Sequence, residues 1–415
     1  VRPDHEDGGV TTVAEHRAAV LGLATPLGAI AVPLADALGC VLAEPVRAAT
    51  PLPPYDSSAM DGYGVRAADV ANAPVTLDVL DAAPAGSPAT LTELPPGACI
   101  RILTGGLVPR SVDAVVPVEQ TDGGRERVRI ATAVTIGHAV RRAGEEMAAG
   151  TVVLAAGQRV TPAAVMAAAA AGAGTLTVVR RPRVAVVSTG DELVPAGQPL
   201  APGQLPDSNG PGLAAAVRAA GGDVVAVEHA RDDVAAVTEL LARLAAGADL
   251  VLTTGGVSAG AENDPIRAAL ERSSDPRFDV RFVAVAMQPG KPQAVGRLGA
   301  AAYLGFPGNP VSCLVSWAVF GRPLLRRLAG AVDPQPAVAI LGGPVQGLAN
   351  RQRYVRARLS PGVQPGAPAV ATPIDGYGSH LVGGLGSTDG FVEVPPGDDA
   401  YDAGTPVVFL PLEAP

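Results

Sequence analysis

Residues 249–265 read DLVLTTGGVSAGAENDP, and the fold turns on them. Leu250 to Thr253 is a short apolar run entered from Asp249, the pattern of a buried parallel strand. It stops at Thr254-Gly255-Gly256-Val257-Ser258, where two adjacent glycines let the backbone turn and bring bare N–H groups close to a ligand. Asp264-Pro265 then opens a helix, with Asp264 as N-cap and Pro265 in the first turn. A strand, a glycine turn and a helix start make an anion site at the carboxyl edge of a sheet. No Gly-Lys-Ser/Thr follows, so this is not the nucleotide P-loop, and G-x-G-x-x-G is absent too. Alone, the stretch is also compatible with an ordinary strand-to-helix turn.

Two later stretches point to the site. Residues 287–292 read Met-Gln-Pro-Gly-Lys-Pro, and Lys291 is the single lysine among 31 basic residues. Its survival where arginine serves everywhere else suggests a site that needs a compact charge rather than a planar fork. Residues 305–312 read Gly-Phe-Pro-Gly-Asn-Pro-Val-Ser at the start of a helix expected to run to about Arg327. Asn309-Pro310, with Ser312 just inside, is a second helix start suited to a phosphate.

At 415 residues the chain exceeds one core, and about two to four domains are expected. A net charge of −9 argues against a nucleic-acid partner. Cys40, Cys99 and Cys313 are isolated and odd in number, with no disulfide framework and no Cys/His metal spacing, which suits a reducing cytoplasm. The uncharged run Val160 to Val179 is alanine and glycine, too weakly apolar for a membrane span.

In chain order, residues 10–45 read as helical, with Leu34–Gly39 closed by glycine. Residues 51–63, PLPPYDSSAMDGY, form a proline-fixed loop in which Asp56, Ser57, Ser58 and Asp61 suit a hard cation or phosphate, or simply cap turns. Residues 64–140 look all-β and include Cys99-Ile-Arg-Ile-Leu-Thr-Gly-Gly106, another strand ending in threonine and glycines. Arg141-Arg142-Ala-Gly-Glu145-Glu146 is a solvated turn or a ligand clamp, and Thr161 to Gly172 is a helix. From 183 strand and helix alternate, which implies a doubly wound α/β domain over about 182–328. Its polar loops follow strands: Thr189–Glu192, Asp207–Asn209, Asp232, Gly255–Ser258, Lys291 and Gly308–Ser312, so they are expected on one rim. Beyond Pro334, short β runs such as Pro406-Val-Val-Phe-Leu410 indicate a small β domain, with Gly376-Tyr-Gly-Ser-His-Leu381 as a covering loop.

Six segments carry a family resemblance: Ser58-Ala-Met-Asp-Gly-Tyr63, Arg101-Ile-Leu-Thr-Gly105, Ser188-Thr-Gly-Asp-Glu-Leu193, Thr254-Gly-Gly-Val-Ser258, Pro289-Gly-Lys-Pro292 and Phe306-Pro-Gly-Asn-Pro-Val-Ser312. In this order, over nearly the whole chain, they resemble the molybdopterin molybdenumtransferases, the MoeA proteins and the gephyrin E domain. The resemblance implies a multidomain α/β plus β fold. Its parts are a discontinuous linking domain (1–50 and 141–181), a β-rich domain (51–140), a molybdopterin-binding α/β domain (182–330) and a C-terminal β-barrel-like domain (331–415). It also implies a cytoplasmic homodimer, with the cleft between the α/β domain of one subunit and the 50–140 domain of the other. Molybdopterin adenylyltransferase and client molybdoenzymes are the implied partners. The implied reaction takes adenylylated molybdopterin and molybdate, with Mg²⁺, and releases AMP.

The family's active-site positions fall on Asp61, Thr104, Glu146, Glu192, Asp232, Asp264, Lys291 and Ser379, with Asp61, Glu192 and Asp264 as metal ligands. Arg141 and Arg356 are the expected anion contacts. Thr189, Gly190, Ser208, Asn209, Gly255, Gly256, Ser258, Pro289, Gly290, Pro307, Gly308, Asn309 and Ser312 are the expected cofactor-binding residues. The chain departs from the pattern at Gln288 and Ala284, where family members commonly carry lysine, and at Glu146, where they carry aspartate. One extra residue before Asp264 leaves Glu262 and Asn263 as alternatives, and Arg281 is a candidate replacement cation. A molybdopterin-binding paralogue or carrier with little insertase activity, and a molybdopterin adenylyltransferase, are the competing functions. A scaffold role is the reading from another class.

Overall fold

Val184-Ala-Val-Val187 has no polar side chain to turn toward water, so a strand built from it must be covered on both faces. The computed structural model, which describes residues 10–91, 93–257, 264–272, 275–332, 337–362 and 366–412, places it between two parallel neighbours in a six-stranded sheet, second from one edge. The strands are β1 (Arg183–Thr189), β2 (Asp223–Ala230), β3 (Leu250–Thr254), β4 (Phe278–Ala284), β5 (Pro292–Leu298) and β6 (Ala301–Phe306). Their spatial order is β2-β1-β3-β6-β5-β4. The first four in that order run parallel, and β5 and β4 continue the sheet antiparallel. Alternate residues feed two cores. Val184, Val186, Leu250, Leu252, Leu304 and Phe306 join one, with Leu213, Val217 and Trp317. Ala185, Val187, Val251 and Tyr303 join the other, with Val237, Leu241 and Ile266. Helix α1 (Asn209–Ala219) therefore covers one face, and α2 (Val234–Gly247) and α3 (Pro265–Arg272) cover the opposite one. The order reverses between β1 and β3, and the carboxyl ends of these two strands form the crevice where open α/β sheets bind ligands.

One strand adds to the alternating pattern and one expectation needs correction. Pro292–Leu298 is a further strand, and it makes the far side of the sheet antiparallel. It runs against Phe278–Ala284 so closely at Gly296 that a Cβ there would lie 2.0 Å from the Asp279 carbonyl oxygen. The helix beginning at Pro310 is also not uniform. It is α over Pro310–Ser316 (α4), π over Trp317–Gly321 and α again over Arg322–Leu328. Pro323 has no N–H to give the preceding turn, and the wider π turn lies just before it.

Contacts divide the chain into two compact units. One takes residues up to Ile30, Gly39–Val41 and everything from Val179 on; the other takes Ala31–Leu38 and Leu42–Val178. In the first unit, five C-terminal strands close into a barrel: Ala337–Leu341, Gln352–Ser360, Val370–Pro373, Gly390–Val394 and Pro406–Pro411. The long strand Gln352–Ser360 pairs with both Val370–Pro373 and Gly390–Val394, and this double pairing closes the ring. Helix Val13–Leu21 belongs to this unit as well, its buried Val13, His16 and Val20 facing inward, with His16 edge-on to Phe320.

The second unit holds a five-stranded half-barrel, in which Gly62–Val65 lies between Ala98–Ile102 and Ala114–Pro117. Val46–Arg47 pairs with Val152–Leu154, and Ala49 N–H donates to the Ala171 carbonyl at 2.9 Å. Segments distant in sequence are thus joined here. Residues 10–45 are not one helical region: Ala29–Pro33 is a strand and Leu34–Asp36 a single 3₁₀ turn, because Pro26 and Pro33 interrupt the helical register.

Candidate functional site

In the first unit the carboxyl rim gathers the loops the sequence singled out. Thr189 and Gly190 follow β1, Thr254–Gly256 follow β3 and Pro307–Asn309 follow β6. Lys291 immediately precedes β5, which runs antiparallel to β6, so it lies at the same rim. Polar bonds tie the loops together. Asn209 Nδ2 donates to the Gly308 carbonyl at 2.6 Å and to Thr254 Oγ1 at 2.8 Å. Thr254 Oγ1 in turn donates to the Pro307 carbonyl at 3.2 Å, and Gly255 N–H to the Phe306 carbonyl at 3.0 Å. Gly255, at φ +92°, packs so closely on β1 that a Cβ would lie 2.4 Å from Thr189 Oγ1. Gly256, at φ +76°, leaves no room for a Cβ beside Asp264 Oδ1 and Ile266. Asp264 caps α3 as expected, its Oδ1 accepting from Ile266 N–H at 3.0 Å. Ser208 flanks the start of α1, and the Ser188 hydroxyl donates to Asp207 Oδ2 at 2.6 Å.

Electrostatically this rim is acidic at one end. Burial raises the Asp264 carboxyl above its usual range; the N–H groups of Arg267 and Ile266 oppose the shift and the Asp232 charge adds to it. Asp232 is raised by burial and then by the charges of Asp191 and Glu192. The Glu192 carboxylate lies against Gly190, where a Cβ would come within 2.4 Å of Oε2. Asp191, in the loop Thr189–Glu192 expected at this rim, accepts through Oδ1 from Asp232 N–H at 3.3 Å. His229, which nothing in the sequence marks, donates from Nε2 to the Gly190 carbonyl at 2.9 Å. Among the described residues no three His, Cys, Asp or Glu side chains gather as a metal cage. A Mg²⁺ ion asks for one or two carboxylates and takes its other oxygens from water and phosphates, so carboxyls raised by burial and by neighbouring carboxylate charge fit it. Ser258, Glu262 and Asn263 lie outside the described residues.

The loop 375–381 reaches this rim from the barrel. Asn309 Nδ2 donates to Ser379 Oγ at 2.9 Å, and Val311 N–H to the Ser379 carbonyl at 3.1 Å. Arg356, expected as an anion contact, is buried and instead donates to the carbonyls of Leu381 (2.7 Å), Gly376 (2.7 Å) and Asp375 (3.1 Å). Arg353 stacks over Tyr377 of the same loop, 3.8 Å from the ring centroid. Ser312 is buried in the first turn of α4, and burial pushes the neighbouring Cys313 thiol up to about 12, so it is no nucleophile at neutral pH.

The second unit carries a separate constellation. Thr104 offers both N–H and hydroxyl to Asp61 Oδ1, each at 2.7 Å, and these bonds hold that carboxyl below the usual range. Gly105 N–H donates to the Ser58 carbonyl and Ser58 N–H to the Gly106 carbonyl, which locks the two loops together. Strand Val140–Arg141 pairs with Ser57–Ser58, and Asp56 grips the following turn through Arg142 at 2.6 Å and Ala143 N–H at 2.7 Å. Glu146 N–H donates to the Leu52 carbonyl at 3.0 Å. Asp61, Thr104, Arg141 and Glu146 are all exposed.

These positions coincide with a known family along the whole chain. Residues 11–172 match the MoeA N-terminal region (domain I and II), 185–327 a probable molybdopterin binding domain, and 338–412 the MoeA C-terminal region (domain IV). The chain belongs to the MoeA family. It is 44% identical over 406 residues to molybdopterin molybdenumtransferase 2 of Mycobacterium tuberculosis (strain ATCC 25618 / H37Rv), covering 95% of this chain and 98% of that one. It is 32% identical over 393 residues to the molybdopterin molybdenumtransferase of Bacillus subtilis (strain 168), covering 91% and 89%. Among solved structures, a molybdopterin biosynthesis MoeA protein from Pyrococcus horikosii superposes with a TM-score of 0.80 at 29% identity, over 98% of this chain and 100% of that one. The multidomain α/β plus β architecture is that of the MoeA family. Among the described residues no helix is long and apolar enough to cross a membrane.

Proposed function

We infer that this chain is a molybdopterin molybdenumtransferase, a transferase of molybdenum cofactor biosynthesis with molybdopterin and molybdate as substrates. The observation that carries this reading is the rim at the β1/β3 switch point, where two glycine turns, a helix start and the one lysine converge in a MoeA-family chain. We further propose that the pterin arrives adenylylated and that AMP leaves.

The chain's residues then divide the work. The glycine turn at Gly255–Gly256 and the amino end of α4 at Ser312 receive the phosphate, and Lys291 supplies a compact positive charge. Gly255 and Gly308 approach closely, which leaves backbone rather than side chains facing a ligand. Glu192 and Asp264 of the first unit are the carboxylates proposed to hold Mg²⁺, and Asp61 is a proposed metal ligand on the family resemblance alone. When bound, the ion supplies charge neutralisation on the phosphoanhydride. Asp61 is aimed and held below the usual carboxylate range by the N–H and hydroxyl of Thr104, with the Arg101 charge adding to the shift. The ligand brings its own sulfurs, and the three buried cysteines are not required. The homodimer, the adenylyltransferase partner and the client molybdoenzymes belong to the same proposal, on the family resemblance.

The test is molybdate-dependent release of AMP from adenylylated molybdopterin by the purified chain with Mg²⁺. Release that requires molybdate is expected. Tight binding of the adenylylated pterin without release would make the chain a carrier instead.

A further inference from the structure

Gln293 is 1% exposed, in an apolar strand, yet it keeps an amide. Its Nε2 donates to the Gly290 carbonyl at 2.7 Å and to Ser316 Oγ at 2.7 Å. Ser316, itself 0% exposed, passes its own proton to the Ser312 carbonyl at 2.8 Å. Gly290 sits at φ +110° directly against this knot, where a Cβ would lie 3.4 Å from Ser316 Oγ and 3.1 Å from the Met287 methyl. One buried chain of donors therefore runs from the turn that carries Lys291 to the first helical turn that carries Ser312. Gln293 Oε1 has no partner among the described residues. A buried amide left half satisfied costs stability, and Met or Leu would fill the same space without that cost. What Gln293 uniquely provides is a link between the two rim elements.

We propose that Gln293 and Ser316 are positioning residues that fix Lys291 relative to the first turn of α4 at Ser312, so that its ammonium and that turn address one anionic ligand together. The inference rests on the function proposed above for the site itself. Neither side chain touches the ligand, since both are buried behind the turn. Preorganisation of this kind acts on binding geometry: a cation displaced by a fraction of an ångström loses much of its advantage on a bound anion.

Lys291 is the single lysine of the chain, which gives a readout independent of turnover. Reductive methylation with ¹³C-formaldehyde labels Lys291 and the terminal amine, and the Lys291 resonance reports its surroundings. Gln293→Met keeps the side-chain length and removes both donors. Ser316→Ala breaks the chain one link further on and serves if the first variant does not fold. Either change is expected to move and narrow the Lys291 resonance and to raise KM for adenylylated molybdopterin roughly tenfold, with kcat less affected. In a Lys291→Ala background, where turnover is lost, Gln293→Met adds no further loss of affinity for adenylylated molybdopterin, because it acts through the lysine. A Lys291 resonance unchanged in both variants, or losses that multiply in the double variant, overturns the proposal. If the wild-type chain releases no AMP, the transferase reading fails, while the Lys291 resonance still decides this one.

Discussion

Acidification tests the core beneath the rim, because His16 is buried against Phe320 in an apolar setting. The ring is 2% exposed, packed edge-on to Phe320 with centroids 4.6 Å apart. Burial first, and then the positive charge of Arg281, lower its pKa from 6.5 to about 4. The unfolded chain binds the proton near 6.5 and the folded chain only near 4, so protonation favours unfolding between those values. The stabilisation is complete above 6.5 and is lost as pH falls through this window. From about pH 7.5 to about pH 4.5 the loss assigned to His16 is about 2.5 kcal/mol. Carboxylates contribute to acid unfolding too, so the measurement is a difference. Urea unfolding is followed by fluorescence of Trp317, the one tryptophan, which lies in the same core as Val13 and Val20. His16→Leu removes the titration and keeps an apolar side chain. The wild-type chain is expected to lose about 2.5 kcal/mol more than His16→Leu between the two pH values. Equal losses would show that the His16 ring finds a stabilising partner when charged, and the burial argument would be wrong.

Other predictions concern the site. Gly255→Ala places a Cβ at φ +92° and 2.4 Å from Thr189 Oγ1, so the urea midpoint should fall by about 1–3 kcal/mol equivalent; an unchanged midpoint refutes the close approach. Asp61→Asn keeps the Oδ1 acceptor for Thr104 but removes the charge, so AMP release should drop by about 100-fold or more with stability within about 1 kcal/mol. Unfolding of that variant would make Asp61 structural. Arg356→Ala frees three loop carbonyls and should speed amide hydrogen exchange at Ser379 and its neighbours, at a cost of about 2 kcal/mol; unaltered exchange would show that Asn309 alone holds the loop. Lys291→Ala should abolish turnover and leave the fold intact, as judged by Trp317 fluorescence.

Much of the α/β unit was legible because parallel strands covered on both faces are unbroken apolar runs. Val184–Val187 and Leu250–Leu252 show this directly. Asp264 and Asp233 were readable as caps, since a side-chain oxygen before a helix has a definite task. Strand β5 was not legible: it begins with proline and contains Gly296, both of which read as breakers, although the close approach to Asp279 demands the glycine. The role of Arg356 was hidden for another reason. An arginine near a site looks like an anion contact, and only the fold reveals that its donors point at carbonyls of a distant loop. Gln293 and His229 gave no signal at all, because their partners lie on other strands and loops.

The double pairing of Gln352–Ser360 also bears on how the chain fares at high concentration. A ring of strands offers no free row of N–H and C=O groups for a stray chain to extend. The half-barrel, by contrast, ends in two open borders, at Ala114–Pro117 and Arg127–Ile130. Both are met by the chain's own backbone: Val115 N–H donates to the His138 carbonyl at 2.9 Å, and Ala131 N–H, just past the other border, to the Gln120 carbonyl at 2.9 Å. Strand addition at the half-barrel should therefore begin only after the segments around Gln120 and His138 have been peeled away, which makes those two loops the guards of its borders.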